Sequence, residues 1–261
     1  MKILVLTQKS AVSYYIINHL PEEHECHVLC EGSGSVELLI RKIKYRFRKF
    51  GVLKGLVEIV LMLIELPFIL KENRKISEYL SQRLKDQCFR KDITEYTIKS
   101  VNSKQTVQVA NDLKPALILV LGTRIIDKTT IEELNKITTN IFNWHSGITP
   151  LYRGVQSEFY CILNNEVEMA GSTLHYLDTG IDSGKPVMQR TIQFSEAEKN
   201  EKNNYLFLKY KNILLFKEMI TAFIKRLEKG QLLKEEIKTS GSRLYSTPTV
   251  KDYKRYYSRI K

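Results

Sequence analysis

Two short runs, Lys2 to Thr7 (KILVLT) and Ala116 to Leu121 (ALILVL), are apolar along almost their whole length, and that continuity constrains the fold more than any other feature. A strand with one face in water alternates polar and apolar residues. A strand that is apolar throughout is covered on both faces, as in a parallel sheet whose crossovers lay helices above and below it. The segments between these runs carry helical patterning: Ser10 to Leu20, closed by Pro21, and Ser103 to Leu113. Glu25 to Cys30 and Ile93 to Ile98 read as a second and third strand, which makes Ala116 to Leu121 the fourth and Ile141 to His145 the fifth. Strands alternating with helices predict an α/β fold with a doubly wound, mostly parallel, Rossmann-like sheet. Glu168 to Leu177 and Pro186 to Gln193 read as two further strands joined by a hairpin turn. A chain of 261 residues buries one substantial core. The expected division is a main domain over 1–195, with a helical insertion at about 36–90, and a mainly helical C-terminal extension over 196–261.

The insertion is where the alternation stops. Arg41, Lys42, Lys44, Arg46, Arg48, Lys49 and Lys54 form a basic run without an acid, followed by GVLKGLVEIVLMLIELPFIL. That second stretch has the length of a membrane span. Lys54, Glu58 and Glu65 nevertheless recur at helical spacing as a narrow polar stripe, Pro67 kinks the end, and charges near a bilayer centre cost about 3 kcal/mol each. The expectation is therefore a helix buried by the fold or by a second subunit in a homodimer. An interfacial helix is the alternative, with peripheral membrane contact through 41–70.

The polar residues that carry chemistry sit at the end of the fifth strand and beyond it. In IFNWHSGITPLYRG, Asn143 and His145 lie two positions apart, so on a strand they share a face, roughly 7 Å apart, while Trp144 points away. An amide and an imidazole so placed can flank one reacting carbonyl, the first as a donor to an oxyanion and the second as an acid or base. In HYLDTGIDSGKPVMQ, a loop between Gly180 and Gly184 carries Asp182, the negative partner that an imidazole needs to hold its tautomer or its proton.

Asn143-Trp144-His145, then Pro150, Tyr152, Arg153 and Gly154, then Asp178-Thr179-Gly180-Ile181-Asp182-Ser183-Gly184 together resemble the folate-dependent formyltransferase family, with sugar N-formyltransferases nearest in build. The resemblance spans roughly 1–195, is strongest over 117–189 and is weak over 32–90. It implies an enzyme moving a formyl group from 10-formyltetrahydrofolate to an amine without a metal. It further implies Asn143, His145 and Asp182 as catalytic residues, and Leu121, Gly122, Thr123, Asp178 and Gly180 against the folate. Asn143 and His145 would donate to the oxygen of the tetrahedral intermediate. Asp182 would keep His145 protonated and take the proton shed by the incoming nitrogen. Arg153 reads as a clamp on the turn after the catalytic strand.

The acceptor amine is approached by elimination. Glycinamide ribonucleotide enzymes of this kind place a glycine-rich loop after the first strand, where this chain has Thr7-Gln8-Lys9-Ser10-Ala11. Methionyl-tRNA enzymes carry a C-terminal β domain, whereas the residues after Ser195 look helical and too few. A nucleotide-linked amino sugar for surface polysaccharide synthesis is the expected acceptor, with the other two amines, an amino acid derivative and a non-catalytic binding module as alternatives. The formal charge of +12 suits an anionic partner such as a sugar-nucleotide diphosphate.

The remaining motifs carry less. Cys26 and Cys30 share a strand face but lie about 13 Å apart, too far to ligate one zinc. Gly32-Ser33-Gly34-Ser35 lacks the Lys-Ser/Thr ending of a phosphate loop and reads as a strand exit. Four scattered cysteines and no secretory segment after Lys2 point to the cytoplasm, with a membrane-peripheral position open. Tyr245 to Lys261 interleaves tyrosines with Lys and Arg, and a solvated terminal helix is expected there rather than a nucleic-acid contact.

Overall fold

The computed structural model describes residues 1–32, 35–231 and 235–260, with side chains left out at 35–42, 44–46, 48–50, 55 and 58. Its elements in chain order are β1 (Lys2–Gln8), α1 (Ala11–Asn18), β2 (Glu25–Glu31), α2 (Ser35–Leu84), β3 (Thr94–Ile98), α3 (Lys104–Leu113), β4 (Leu117–Leu121), α4 (Lys128–Asn135), β5 (Ile141–His145) and β6 (Arg153–Gly154). There follow α5 (Ser157–Leu163), β7 (Gly171–Tyr176), β8 (Pro186–Thr191), α6 (Tyr205–Glu228), β9 (Leu244–Tyr245) and α7 (Val250–Arg259).

Seven strands form one sheet in the order β3-β2-β1-β4-β5-β7-β8. The first five pair in parallel, and β7 and β8 close the edge antiparallel. This is the doubly wound, mostly parallel arrangement that the apolar runs predict. Alternation along each strand divides the core. Ile3, Val5 and Leu119 join residues of α1 and α6 on one face, while Leu4, Leu6 and Val120 join residues of α3 and α4 on the other. Strand order reverses between β1 and β4, and ligands of such sheets lie beyond the carboxyl ends at that switch.

Several expectations are revised. Residues 168–170 do not extend β7: Val167–Met169 is a 3-10 turn, and the strand starts at Gly171. The C-terminal helix is docked rather than solvated. Tyr253 and Tyr256 of α7 are buried against Phe159 and Tyr205, with ring centroids 4.8 to 6.2 Å apart. Phe68 and Ile69 pack against the core, but residues 52–64 are left largely uncovered by this fold. Helix α2 breaks at Gly51, where φ is 76°, and Val52, Leu53 and Ile64 stand 70%, 84% and 69% exposed. Among the described residues no helix is long and apolar enough to cross a membrane. The glycine and serine run at 32–35 includes Ser33 and Gly34, and the basic run includes the side chains of 41, 42, 44, 46, 48 and 49. Those lie outside the described residues.

Candidate active site

Strand β5 delivers Asn143 and His145 to one side of the sheet at its carboxyl end, and Trp144 to the other. Trp144 stacks on Phe216 of α6 at 4.5 Å and donates through Nε1 to Ser172 Oγ at 2.9 Å. The antiparallel register with β7 sets Asn143 opposite His175. Beyond β7 the chain folds back over these strand ends and carries Asp182 in, with φ of 47°, a left-handed conformation that Asp tolerates better than most residues.

Asp182 is the hub of the cluster. Its Oδ2 accepts the Gly154 N–H at 2.9 Å and lies 3.3 Å from His145 Nδ1; its Oδ1 accepts from Asn143 Nδ2 at 3.2 Å and lies 3.7 Å from His175 Nε2. Gly154 has φ of 93°, and a Cβ there would strike the backbone of Tyr245. Only glycine therefore lets that N–H reach the carboxylate. Arg153 Nε donates to the Ile181 carbonyl at 2.8 Å, which ties the Asp182 turn to the segment after β5 in the manner of a clamp. The three residues singled out in the sequence thus converge, and His175 joins them. It opens the second motif, but the signal that would have found it is the cross-strand register, which the motif spacing does not supply.

The hydrogen-bond partners assign the protons. His175 Nδ1 lies 2.8 Å from the Tyr176 carbonyl and must carry hydrogen, so its Nε2 accepts from Asn143 Nδ2 at 3.1 Å. Both amide hydrogens of Asn143 are then held, by His175 and Asp182. His145 Nε2 lies 2.7 Å from the Tyr152 carbonyl and must likewise donate. In the neutral ring this leaves Nδ1 as a bare lone pair facing Asp182. Burial lowers the His145 pKa and outweighs the opposing pull of the Asp182 charge. For Asp182, burial pushes the pKa up but is outweighed by His175 and His145, which favour the carboxylate when their rings carry a proton, and by the Gly154 N–H, so the carboxyl stays below its ordinary value. At neutral pH the pair is a carboxylate beside an uncharged imidazole. In that state the His145 N–H is directed inward to a backbone carbonyl and Nδ1 faces Asp182.

These groups line a cleft of about 950 Å³, a volume that admits a drug-sized ligand. Gly122, Thr123, Asp178 and Gly180 line it with Asn143, His145 and Asp182. Leu121 does not. Alternation along β4 turns it to the opposite face, where it borders a smaller cavity of about 310 Å³ with Ser10, Glu158 and Lys209. The two spaces share Gly122, Trp144 and Ser146. The wall after β4 is held from behind: Thr123 Oγ1 donates to buried Glu31 at 3.3 Å, and Arg124 forms an ion pair with the same carboxylate. Asp178 accepts from Ser183 Oγ at 2.8 Å and from the Gly180 N–H at 3.2 Å, so it shapes the loop bearing Asp182. Cys26 and Cys30 are core thiols, pushed by burial up to about 12 and about 11.

Residues 69–217 match the formyl transferase family. This chain belongs to that family. A methionyl-tRNA formyltransferase from Kosmotoga olearia is 29% identical over 134 residues, which cover 51% of this chain and 40% of the relative. The chain thus spans less than half the length of the curated relatives it matches first. Two solved structures share the fold. A phosphoribosylglycinamide formyltransferase from Anaplasma phagocytophilum has a TM-score of 0.53 and 13% identity, covering 88% of each chain. A sugar N-formyltransferase from a Shewanella species has a TM-score of 0.53 and 12% identity, covering 98% of this chain and 86% of that one.

Proposed function

We propose that this protein transfers a formyl group from 10-formyltetrahydrofolate to the amine of a nucleotide-linked amino sugar, in surface polysaccharide synthesis. The observation that carries the reading is the meeting of Asn143, His145 and Asp182, from two separate motifs, in one cleft. Bound folate would supply the activated formyl carbon, and Gly122, Thr123, Asp178 and Gly180 would hold it along the larger cleft. The amine would enter from the smaller cavity, which meets the cleft at Gly122 and Ser146.

When the amine nitrogen bonds to the formyl carbon, the carbonyl oxygen takes up negative charge. Asn143 supplies the donor to it. A charged acceptor outcompetes the neutral His175 Nε2 for that N–H, since hydrogen bonds to ionised groups are roughly twice as strong. Asp182 and the bare Nδ1 of His145 take the proton that the incoming nitrogen loses, and the adjacent carboxylate stabilises the imidazolium so formed. Collapse then releases the folate nitrogen, which receives a proton in turn.

An anionic diphosphate suits the charge of +12, and the sugar N-formyltransferase likeness extends over nearly the whole chain. Methionyl-tRNA is the second reading, favoured by the name of the relative matched over half of the chain. The test incubates the protein with 10-formyltetrahydrofolate and a panel of nucleotide amino sugars, methionyl-tRNA and glycinamide ribonucleotide, and reads formylation by mass spectrometry. One formylated amino sugar is the expected result; formylation of the tRNA alone replaces it with the second reading. Asn143→Ala and His145→Ala should each lower turnover by about 10²- to 10³-fold with folate binding retained. Near-full activity in both variants would overturn the assignment.

A further inference from the structure

The outer half of α2, residues 52–64, shows water an apolar surface that the fold leaves bare. Besides Val52, Leu53 and Ile64, Val57 and Val60 stand 58% and 54% exposed, and most of the large apolar side chains exposed among the described residues lie on this helix. They are not a narrow seam. At about 100° per residue, the exposed positions run from Val52 through Leu63, Val60 and Ile64 to Leu61 over an arc of about 180°. Lys54 and Glu65 lie just past its edge. The seam of a two-helix coiled coil is much narrower than this arc, and a helix lying on a broad apolar surface uses about 100° or more. An arc this wide fits a continuous apolar phase.

The charge beside it selects the kind of phase. Arg41, Lys42, Lys44, Arg46, Arg48 and Lys49 lie in the helical segment just before the break at Gly51, and no acid occurs between Arg41 and Val57. A broad apolar face adjoining a basic segment is what binds at a bilayer interface carrying anionic headgroups. A second copy of the chain is a poorer match: against the six basic residues of one run, its own arc brings only Glu58 and Glu65. We propose that α2, from its basic segment through Ile64, docks on the surface of an anionic phospholipid bilayer and lies in its plane. The proposal stands apart from the choice of acceptor amine.

The experiment co-sediments the full chain with phosphatidylcholine vesicles, with and without an equimolar share of phosphatidylglycerol. Binding should rise about tenfold with the anionic lipid and weaken with added salt. Leu53→Glu/Val57→Glu/Ile64→Glu should lose about tenfold in binding. Arg46→Gln/Arg48→Gln/Lys49→Gln, which keeps the apolar arc, should lose the preference for phosphatidylglycerol. Circular dichroism and folate binding check that both variants are folded. Wild-type protein that ignores the anionic vesicles, or binds them no better than the triple Glu variant, overturns the proposal. So does a dimer in sedimentation equilibrium without lipid that the triple Glu variant dissociates, which would make a second copy the occupant.

Discussion

The two halves of helix α2 invert what their compositions suggest. Residues 52–64 are almost wholly apolar, and they stand in water; residues 72–84, ENRKISEYLSQRL, are mostly polar, and they are the half that docks. Glu72, Leu80 and Leu84 are buried, with Ile76 packed beside them, on one face at intervals of four. Leu80 and Leu84 join a core cluster that includes Ile16, Ile17 and Leu20 near α1, and the partners of Glu72 arrive from the far end of the chain. Tyr205 of α6 and Tyr257 of α7 donate to Glu72 at 3.0 and 2.9 Å, and Phe68 meets the edge of Tyr253 at 5.4 Å. Apolar content measures the free energy available from leaving water. Whether a helix realises it inside its own fold depends on which surfaces reach it.

The largest effect expected from this contrast is at Glu72. Glu72→Leu strands two phenolic hydroxyls without their acceptor, and it should lower unfolding free energy by on the order of 3 kcal/mol, read from urea denaturation. An unchanged denaturation midpoint would break the comparison, because the docked half would then owe its position to something else.

A smaller, pH-dependent loss is expected from the buried cluster of His145 and Asp182. His145 has its pKa lowered in the fold from the ordinary 6.5. As pH falls below that value, the unfolded chain takes up a proton that the native ring refuses, so stability drops until the folded pKa is passed. Asp182 has its pKa lowered from 3.8, and the stability it contributes is present above that value and lost as pH falls through the folded pKa. Denaturation across pH should show both declines, and His145→Gln should remove the first. The smallest effect belongs to the exposed half. Leu53→Glu and Ile64→Glu should each change stability by no more than about 0.5 kcal/mol in the absence of lipid. A loss of several times that would mean the half is covered in solution.

Part of the site was legible because it is local. Asn143 and His145 follow from period-two spacing on one strand, and the glycines about Asp182 mark a turn. What escaped depends on contacts between segments. His175 enters through the β5–β7 register, and the Tyr152 carbonyl, which redirects the His145 N–H, comes from a turn seven residues on. Leu121 borders the smaller cavity rather than the larger cleft because neighbours along a strand face opposite sides, and proximity in sequence to Gly122 does not carry over. Helix α5, almost entirely buried, was missed altogether.

Residue order by itself determined the sheet, since continuous apolar runs are stable only between two covering layers, and it determined which chemical groups were on hand, since the amide and imidazole share one strand face and the carboxylate sits in a glycine-flanked turn. Tertiary structure decided where each proton sits and which apolar surface stays exposed. Both depend on distances between residues far apart in the chain, and hydrogen bonding and desolvation change over a few ångströms that local sequence does not encode.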